Sequence, residues 1–422
     1  MGRRPFVFDV THLVSRLNRH ATTGIDRVDL GYARYFIGRR LISVCTHYGA
    51  VRPHIFSLKR ARRLVREVAK NVGDTERQAA HEWDELRDWL CGRASLERCA
   101  PIAPAPSQGK KFFRQSALRV INDPPFVVPK NAVYLNVAQT GFEHHQMFRW
   151  LNKRPDVKSV FLIHDLLPLD APSLFRPGYA DRFGRRVDTI VRHAGAIICA
   201  SMIVRDRIVQ EYRRRGVDAP PIGVFPFASP LGGGVVADEI EPELAEHPYF
   251  ILLGTLEPRK GHAILLDVWE QLPKEIKPKL VLVGAPGWGV EDTLDRITNS
   301  TAIENSVVRL SGVSRRSLRR VIVNARALLL PSLAEGYGLP IAEALTLGTP
   351  VIASDIPIFH ETSQSKAEFV AARDLGAWRQ AVEDFCDPTS LRRKAAKARA
   401  GEYQAPTREQ YFDDVRKFLE SL

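Results

Sequence analysis

Two glutamates lie eight positions apart, on either side of a glycine-rich turn. They are Glu335 and Glu343 in the segment Glu-Gly-Tyr-Gly-Leu-Pro-Ile-Ala-Glu. Pro340 suits the start of a helix, because its φ is fixed near the helical value and its missing N–H would have had no partner there. Apolar runs at 327–330 and 350–353 flank the segment and predict strand, glycine loop, helix and strand. The start of such a helix attracts anions, whereas the two carboxylates can accept hydrogen bonds from sugar hydroxyls.

A second charged loop follows the apolar run 249–253. The loop spans 254–261, begins and ends with glycine, and carries the adjacent cations Arg259 and Lys260. Two cations at the carboxyl end of a parallel strand suit a diphosphate. The loop is neither a Walker loop nor the G-x-G-x-x-G loop of dinucleotide enzymes. A solvated pair of charges at the start of a helix is the alternative interpretation.

The elements that must position these loops alternate between strand and helix. In the second half the pattern predicts strands at 249–253, 280–283, 307–310 and 327–330, and helices at 261–272 and 315–324. In the first half it predicts a helix at 25–38 and strands at 6–10, 41–45, 132–137, 160–163 and 196–200. Such alternation is typical of α/β proteins with parallel, doubly wound sheets, which bind ligands at the carboxyl ends of their strands.

At 422 residues the chain is too long for one ordinary core, so we expect two domains. The first spans 1–230 and contains a charged helical insertion at about 50–130. A glycine-rich and acidic linker at 231–248 leads into the second domain, 249–404. The last segment, 405–422, is an amphipathic helix whose apolar face must be buried elsewhere in the protein.

The net positive charge lies almost wholly in the first half of the chain. Through residue 246 there are 38 Lys and Arg against 26 Asp and Glu, whereas the remainder has 23 against 22. This asymmetry indicates an acidic partner, such as a membrane surface, nucleic acid or a phosphorylated acceptor, or else only a solvated surface. The five cysteines are scattered, no apolar run is long enough to span a membrane, and the N-terminus lacks a signal-peptide core. A cytoplasmic protein is therefore expected.

The Glu335–Glu343 segment and its flanking strands resemble the Glu-x7-Glu signature of the family 4 retaining glycosyltransferases, which have the GT-B fold. The resemblance is strongest over 247–365. It implies two facing Rossmann-like domains, with the last helix crossing back to the first. It also implies that Glu335 contacts the donor sugar and is catalytic, and that Glu343 binds the ribose hydroxyls. The other residues that it places at the nucleotide-sugar site are Gly336, Tyr337, Gly338, Leu339, Arg259 and Lys260.

The chain departs from the family pattern at Thr255, where many members have a phosphate-binding arginine. Arg27 is the candidate replacement, because it follows Gly24 in the loop where the first domain of the family approaches the donor phosphates. A glycine there lets the backbone come close to a ligand. A surface arginine paired with Asp26 or Asp29 is an equally good interpretation.

His164 ends the predicted strand 160–163, and in family members a histidine here lies near the donor sugar. It is the second candidate catalytic residue. The continuation Leu-Leu-Pro-Leu-Asp-Ala-Pro is similar to the branch that builds sugar polymers, many of whose members use GDP-mannose.

The residues together with the resemblance predict a metal-independent glycosyltransferase without a cofactor, and the resemblance implies that it is a retaining enzyme. Its donor is a nucleotide-diphosphate sugar, with GDP-mannose favoured, and its acceptor is a growing surface polysaccharide or lipid-linked glycan. We expect peripheral contact with the anionic inner face of the plasma membrane and no nucleic-acid partner. Two alternatives stay open: an NAD-type oxidoreductase, and a catalytically silent basic protein that binds membranes or nucleic acid.

Overall fold

The computed structural model describes these residues, to which every structural statement below refers: 4–16, 23–38, 42–46, 53–56, 59, 61–67, 83–97, 128–232, 234–235 and 239–422. The chain divides into two compact units. Unit 1 comprises 1–72, 104–226 and 408–422, and unit 2 comprises 73–103 and 227–407.

Seven strands form the sheet of unit 1: β1 (Phe6–Asp9), β2 (Ile42–Thr46), β3 (His54–Phe56), β4 (Val133–Asn136), β5 (Lys158–Leu162), β6 (Ala196–Cys199) and β7 (Ile222–Val224). Their order is β3-β2-β1-β4-β5-β6-β7. Neighbouring strands are parallel, except that β2 and β3 pair antiparallel. Strands β1, β4 and β6 are buried along their whole length, as expected for a parallel sheet with both faces covered.

The helices of unit 1 are α1 (Thr11–Arg16), α2 (Gly24–Gly38), α3 (Leu167–Asp170), α4 (Tyr179–His193) and α5 (Met202–Arg214), together with α13 (Arg408–Ser421) at the end of the chain. Residues 61–67 are also helical. Helix α13 packs on α2, where Phe412 stacks on Tyr35 with ring centroids 4.5 Å apart and the Tyr32 and Tyr411 hydroxyls lie 2.7 Å apart. The last helix therefore returns to the first unit, as the resemblance implied.

Six parallel strands form the sheet of unit 2: β8 (Tyr249–Leu253), β9 (Lys279–Val283), β10 (Val307–Leu310), β11 (Ala327–Leu330), β12 (Val351–Ser354) and β13 (Glu368–Val370). Their order is β10-β9-β8-β11-β12-β13. The helices are α6 (His262–Gln271), α7 (Glu291–Asn299), α8 (Arg315–Val323), α9 (Leu339–Thr346), α10 (Pro357–Ser363), α11 (Leu375–Cys386) and α12 (Leu391–Gly401). Alternate residues of β8 enter two separate apolar clusters, because successive side chains of a strand point to opposite faces. The predicted α/β class with two doubly wound sheets is confirmed.

The predicted insertion at 50–130 of the first domain is wrong for residues 83–97, which belong to unit 2. Residues 83–90 are helical, and their apolar side chains Trp83, Leu86, Trp89 and Leu90 are buried in the core of that unit. Trp83 Nε1 also donates a hydrogen bond to Glu241 at 3.1 Å. The stretches 68–82 and 98–127 lie outside the described residues.

The predicted linker 231–248 is also wrong in its described part, which lies within unit 2. Leu231 and Leu244 are buried in the same core cluster as Trp83, and a short 3-10 helix spans Pro242–Ala245. Glu239 of this segment also forms an ion pair with Arg319 of α8, at 2.5 Å. Among the helices that the structure describes, none is long and apolar enough to cross a membrane.

Candidate functional site

The carboxylate of Glu335 lies between two cations at the carboxyl edge of the unit 2 sheet. Lys260 Nζ donates to Oε1, and Arg259 Nη1 lies 3.2 Å from Oε2. Ser332 Oγ donates a third hydrogen bond to Oε1 at 3.1 Å. The Glu335 side chain is 8% exposed. The predicted site residues Glu335, Arg259 and Lys260 are therefore in direct contact.

Glycine at position 261 lets the two charged loops meet. Strands β8 and β11 are neighbours, so the loops that follow them lie side by side. Gly261 has a φ of 72°, and a Cβ on it would fall 2.1 Å from the main-chain oxygen of Pro331. The Leu333 N–H donates to the Arg259 carbonyl at 2.7 Å and closes the contact. No side chain larger than hydrogen fits there, and the close approach brings Lys260 to Glu335.

The charges of this cluster keep Glu335 ionised. Burial alone would raise its pKa, but the positive charges of Lys260 and Arg259 and the hydrogen bonds from Lys260 and Ser332 lower the pKa to about 2. Arg259 Nε also binds Glu257 Oε2 at 3.0 Å, so two cations face two carboxylates. An ionised carboxylate can accept hydrogen bonds from sugar hydroxyls, and the cations can bind a diphosphate.

Tyr337 holds the turn between Glu335 and α9 in place. Its ring is 8% exposed and packs edge-on against Phe227, with centroids 5.1 Å apart. The Tyr337 carbonyl accepts a hydrogen bond from Thr362 Oγ1 at 2.5 Å. Gly338 has a φ of 88°, and a Cβ on it would fall 2.9 Å from the Phe359 ring. The Tyr337 side chain is thus buried and supports the turn, and its assignment to the nucleotide-sugar site stays a prediction.

The other residues of this predicted segment lie where α9 begins. Gly336 and Leu339 are half-buried, and Leu339 is the first residue of the helix. Glu343 lies one turn further along and is only 1% exposed. Its assignment to the ribose hydroxyls stays a prediction.

His164, Gly24 and Arg27 belong to unit 1. The His164 ring donates from Nε2 to the Val137 carbonyl at 2.9 Å. Desolvation of the ring lowers the pKa of His164 to about 4, against the raising effect of the Val137 hydrogen bond and with a smaller lowering effect of His12. His164 is therefore neutral near pH 7, and its Nδ1 can only accept a hydrogen bond, because Nε2 carries the proton.

Gly24 is the first residue of α2, and Arg27 lies in its first turn. The neighbouring Asp26, one suggested partner of Arg27, accepts hydrogen bonds from Arg16 Nε at 2.6 Å and His12 Nε2 at 2.7 Å. The role of Arg27 as a phosphate ligand stays a prediction.

Sequence reasoning missed two members of the Glu335 cluster, Ser332 and Glu257. Ser332 could have been found, since it follows a predicted strand by two residues and thus lies at the ligand-binding edge of the sheet. Glu257 lies in the charged loop, but no sequence pattern indicates that its carboxylate contacts Arg259. In unit 1 the pair of His12 and Asp26 was also missed, because the two residues are fourteen positions apart and no local pattern joins them.

Residues 237–400 match the sequence model of the family described as Glycosyl transferases group 1. This segment is a group 1 glycosyltransferase domain. It contains the whole parallel sheet of unit 2 and every member of the Glu335 cluster. The predicted relationship to the GT-B glycosyltransferases is confirmed.

The chain is also similar to bacterial mannosyltransferases. The chain is 31% identical over 238 residues to the serotype-specific mannosyltransferase WbdA of Escherichia coli, a match that covers 53% of the chain and 29% of WbdA. It is 27% identical over 226 residues to the O-antigen chain mannosyltransferase RfbU of Salmonella typhimurium, covering 53% of the chain and 59% of RfbU. The matches thus span less than two thirds of either relative.

The fold is shared with solved GT-B structures. The structure of HepE from Anabaena in complex with UDP aligns with a TM-score of 0.59 at 15% sequence identity, over 99% of this chain and 100% of HepE. At this identity the similarity shows the fold and carries no information on donor or acceptor.

Proposed function

We propose that the chain is a retaining glycosyltransferase that moves a sugar from a nucleoside-diphosphate donor to a growing surface polysaccharide or a lipid-linked glycan. The contact of Glu335 with Lys260 and Arg259 is the observation that carries this proposal. It joins a sugar-binding carboxylate to two diphosphate-binding cations at the carboxyl edge of a parallel sheet, where such folds bind ligands.

In the proposed reaction the bond between the anomeric carbon and the diphosphate breaks, and its electron pair leaves on the phosphate oxygen. Lys260, Arg259 and the N-terminus of α9 stabilise the negative charge that develops there. The acceptor oxygen bonds to the anomeric carbon on the same face, and its proton passes to the leaving diphosphate. Glu335 is engaged by three donors, so it positions the sugar and stabilises positive charge on the sugar ring instead of attacking it.

With cations in the place of a divalent ion, activity should not depend on added metal. We expect EDTA to leave the rate of sugar transfer essentially unchanged. A strict requirement for manganese or magnesium would contradict this part of the mechanism.

Mannose from GDP-mannose is the proposed donor sugar. Both WbdA and RfbU are mannosyltransferases, and the family-model match at 237–400 contains the Glu335 cluster. A thermal-shift screen against GDP, UDP, TDP and ADP sugars tests the donor, and transfer of labelled sugar to a lipid-linked acceptor tests the reaction. Stabilisation by GDP-mannose that is lost in Lys260→Ala supports the proposal. Binding of NAD with no response to any sugar nucleotide would favour an oxidoreductase and overturn it.

We also propose that unit 1 docks on anionic lipid, at the inner face of the plasma membrane, where a lipid-linked acceptor would lie. The helical residues 61–67 bury Ala61 and Val65 and leave Arg63 and Arg66 exposed. An exposed Lys or Arg near an anionic surface contributes about 1 kcal/mol, so a few suffice for reversible attachment.

Sedimentation with anionic vesicles tests this docking. We expect binding to fall as salt rises, and to fall in a variant that neutralises Arg60, Arg62, Arg63 and Arg66, of which Arg60 lies outside the described residues. Sugar-nucleotide hydrolysis in solution should stay unchanged in that variant. A variant that pellets with the vesicles as the wild type does would show that the basic charge is only a solvated surface.

A further inference from the structure

Trp288 is a half-buried aromatic residue beside the Glu335 cluster. It follows β9 and lies between Gly287 and Gly289. Within the part of the chain that the structure describes, no hydrogen bond or ring contact joins Trp288 to another residue. A large aromatic side chain that neither packs on a ring nor satisfies its indole N–H is available to a ligand.

The loop that carries Trp288 is joined to the loop that carries Lys260. The Gly287 N–H donates to the Leu256 carbonyl at 2.8 Å, and the Leu256 N–H donates to the Ala285 carbonyl at 3.0 Å. A Cβ on Gly287 would fall 2.5 Å from the Leu256 oxygen. The two loops are thus in main-chain contact, and this contact fixes Trp288 next to the proposed diphosphate site.

The order of the strands places the loop of Trp288 on the side of the Lys260 loop that faces away from Glu335. Strand β9 neighbours β8 on the side away from β11. Along the edge of the sheet the loops therefore follow one another in the order of the residues that they carry, namely Glu335, Lys260 and Trp288. Neighbouring strands lie about 4.8 Å apart, so the two strand spacings between Glu335 and Trp288 are comparable with the length of a diphosphate. A sugar nucleotide has the same order of parts: sugar, diphosphate, nucleoside.

We propose that Trp288 is the stacking platform for the nucleobase of the donor. This inference rests on the proposed function, since it requires a nucleoside-diphosphate ligand at Lys260. An indole face stacks on any base, and a purine offers it more area than a pyrimidine does. Trp288 thus contributes affinity for the nucleoside and favours a guanine or adenine donor over a uracil or thymine one.

Titration calorimetry with GDP, UDP and pyrophosphate tests the proposal. Trp288→Ala should weaken GDP binding roughly tenfold or more, and UDP binding less, because base stacking on an aromatic side chain is worth this much in alanine substitutions. Its affinity for pyrophosphate should equal that of the wild type. Trp288→Phe keeps an aromatic face and should retain most of the GDP affinity. Lys260→Ala should instead weaken the binding of all three ligands.

Tryptophan fluorescence gives an independent readout. GDP should change the emission of the wild type, pyrophosphate should not, and the GDP response should be lost in Trp288→Phe. Leu391→Ala is the matched control, since Leu391 is a large apolar residue of the same unit that is 81% exposed. It should bind all ligands as the wild type does.

Two results would overturn the stacking role of Trp288. In the first, the Trp288→Ala variant binds GDP as tightly as the wild type does. In the second, the variant loses affinity for GDP and for pyrophosphate by the same factor. Either leaves the proposed function standing. A wild type that binds pyrophosphate but no nucleoside diphosphate would overturn the proposed function together with this inference.

Discussion

Replacement of Glu335 by glutamine separates its proposed catalytic role from its role as the counter-charge of Lys260 and Arg259. Glutamine has the same shape but no charge, and it faces Lys260, Arg259 and Ser332. With one negative charge removed, the cations are less neutralised, so affinity for a nucleoside diphosphate should be retained or increased. Turnover should nevertheless fall by roughly a hundredfold or more, because one preorganised group at a reacting centre is worth that much.

The same substitution should destabilise unit 2. The pKa of Glu335 falls from 4.5 to about 2 in the folded protein. The ionised form therefore stabilises the fold above pH 4.5, and this contribution is lost as the pH falls toward 2. Such a shift corresponds to about 3 kcal/mol, which glutamine cannot supply at any pH. Denaturant unfolding at pH 7 measures this loss.

Calorimetry with the nucleoside diphosphate and a steady-state transfer assay complete the test. Glu246→Gln is the matched control, since Glu246 is an exposed carboxylate of the same unit. It should change neither stability nor turnover. Unchanged turnover in Glu335→Gln would refute the catalytic role. A parallel loss of nucleotide affinity and turnover would show instead that Glu335 only holds the phosphate-binding cations.

Three further substitutions test other parts of the molecule. Glu343→Ala should weaken binding of the free nucleoside diphosphate in calorimetry, and an affinity equal to that of the wild type would exclude contact with the ribose. Lys260→Ala should weaken diphosphate binding more than monophosphate binding, and equal losses would contradict its role at the leaving group. Burial, with the charges of Asp9 and Asp26, raises the pKa of Asp29, so the folded state holds the proton more tightly than the unfolded state. Wild-type stability should therefore fall relative to Asp29→Asn as the pH rises above about 4, and a difference independent of pH in denaturant unfolding would disprove this.

The cluster around Glu335 could be predicted because its residues follow predicted strands. Ends of neighbouring parallel strands meet at one edge, so adjacency in the sheet follows once the strands are recognised. Strands β3, β7 and β13, with three residues each, could not be recognised, since they are too short to show a period. The inward orientation of Tyr337 was not predictable either, because it depends on Phe227, far earlier in the chain.

The helix at 83–90 shows a different limit. Trp83, Leu86 and Leu90 lie at helical spacing within the predicted helical insertion, and the helix is present. The prediction placed this helix in the first domain, whereas it belongs to unit 2. An apolar stripe requires burial but does not specify the surface that buries it. Arg87 and Arg93 bind Glu243 on that surface at 3.3 Å and 2.9 Å, which no sequence pattern indicates.

Neither unit is continuous in the chain, and this determines the order in which they can be completed during synthesis. The residues of α13 that pack on Tyr32 and Tyr35 are synthesised after all of unit 2. Unit 1 therefore cannot be completed until α13 has been synthesised. Until then its aromatic face is exposed, and exposed apolar surface of this kind favours aggregation. In unit 2 the order is reversed, because the helix that carries Trp83 is synthesised long before the sheet that buries it. Contacts between such distant segments close large loops and slow folding. A fragment of 227–407 alone would lack that helix and present an apolar groove to water.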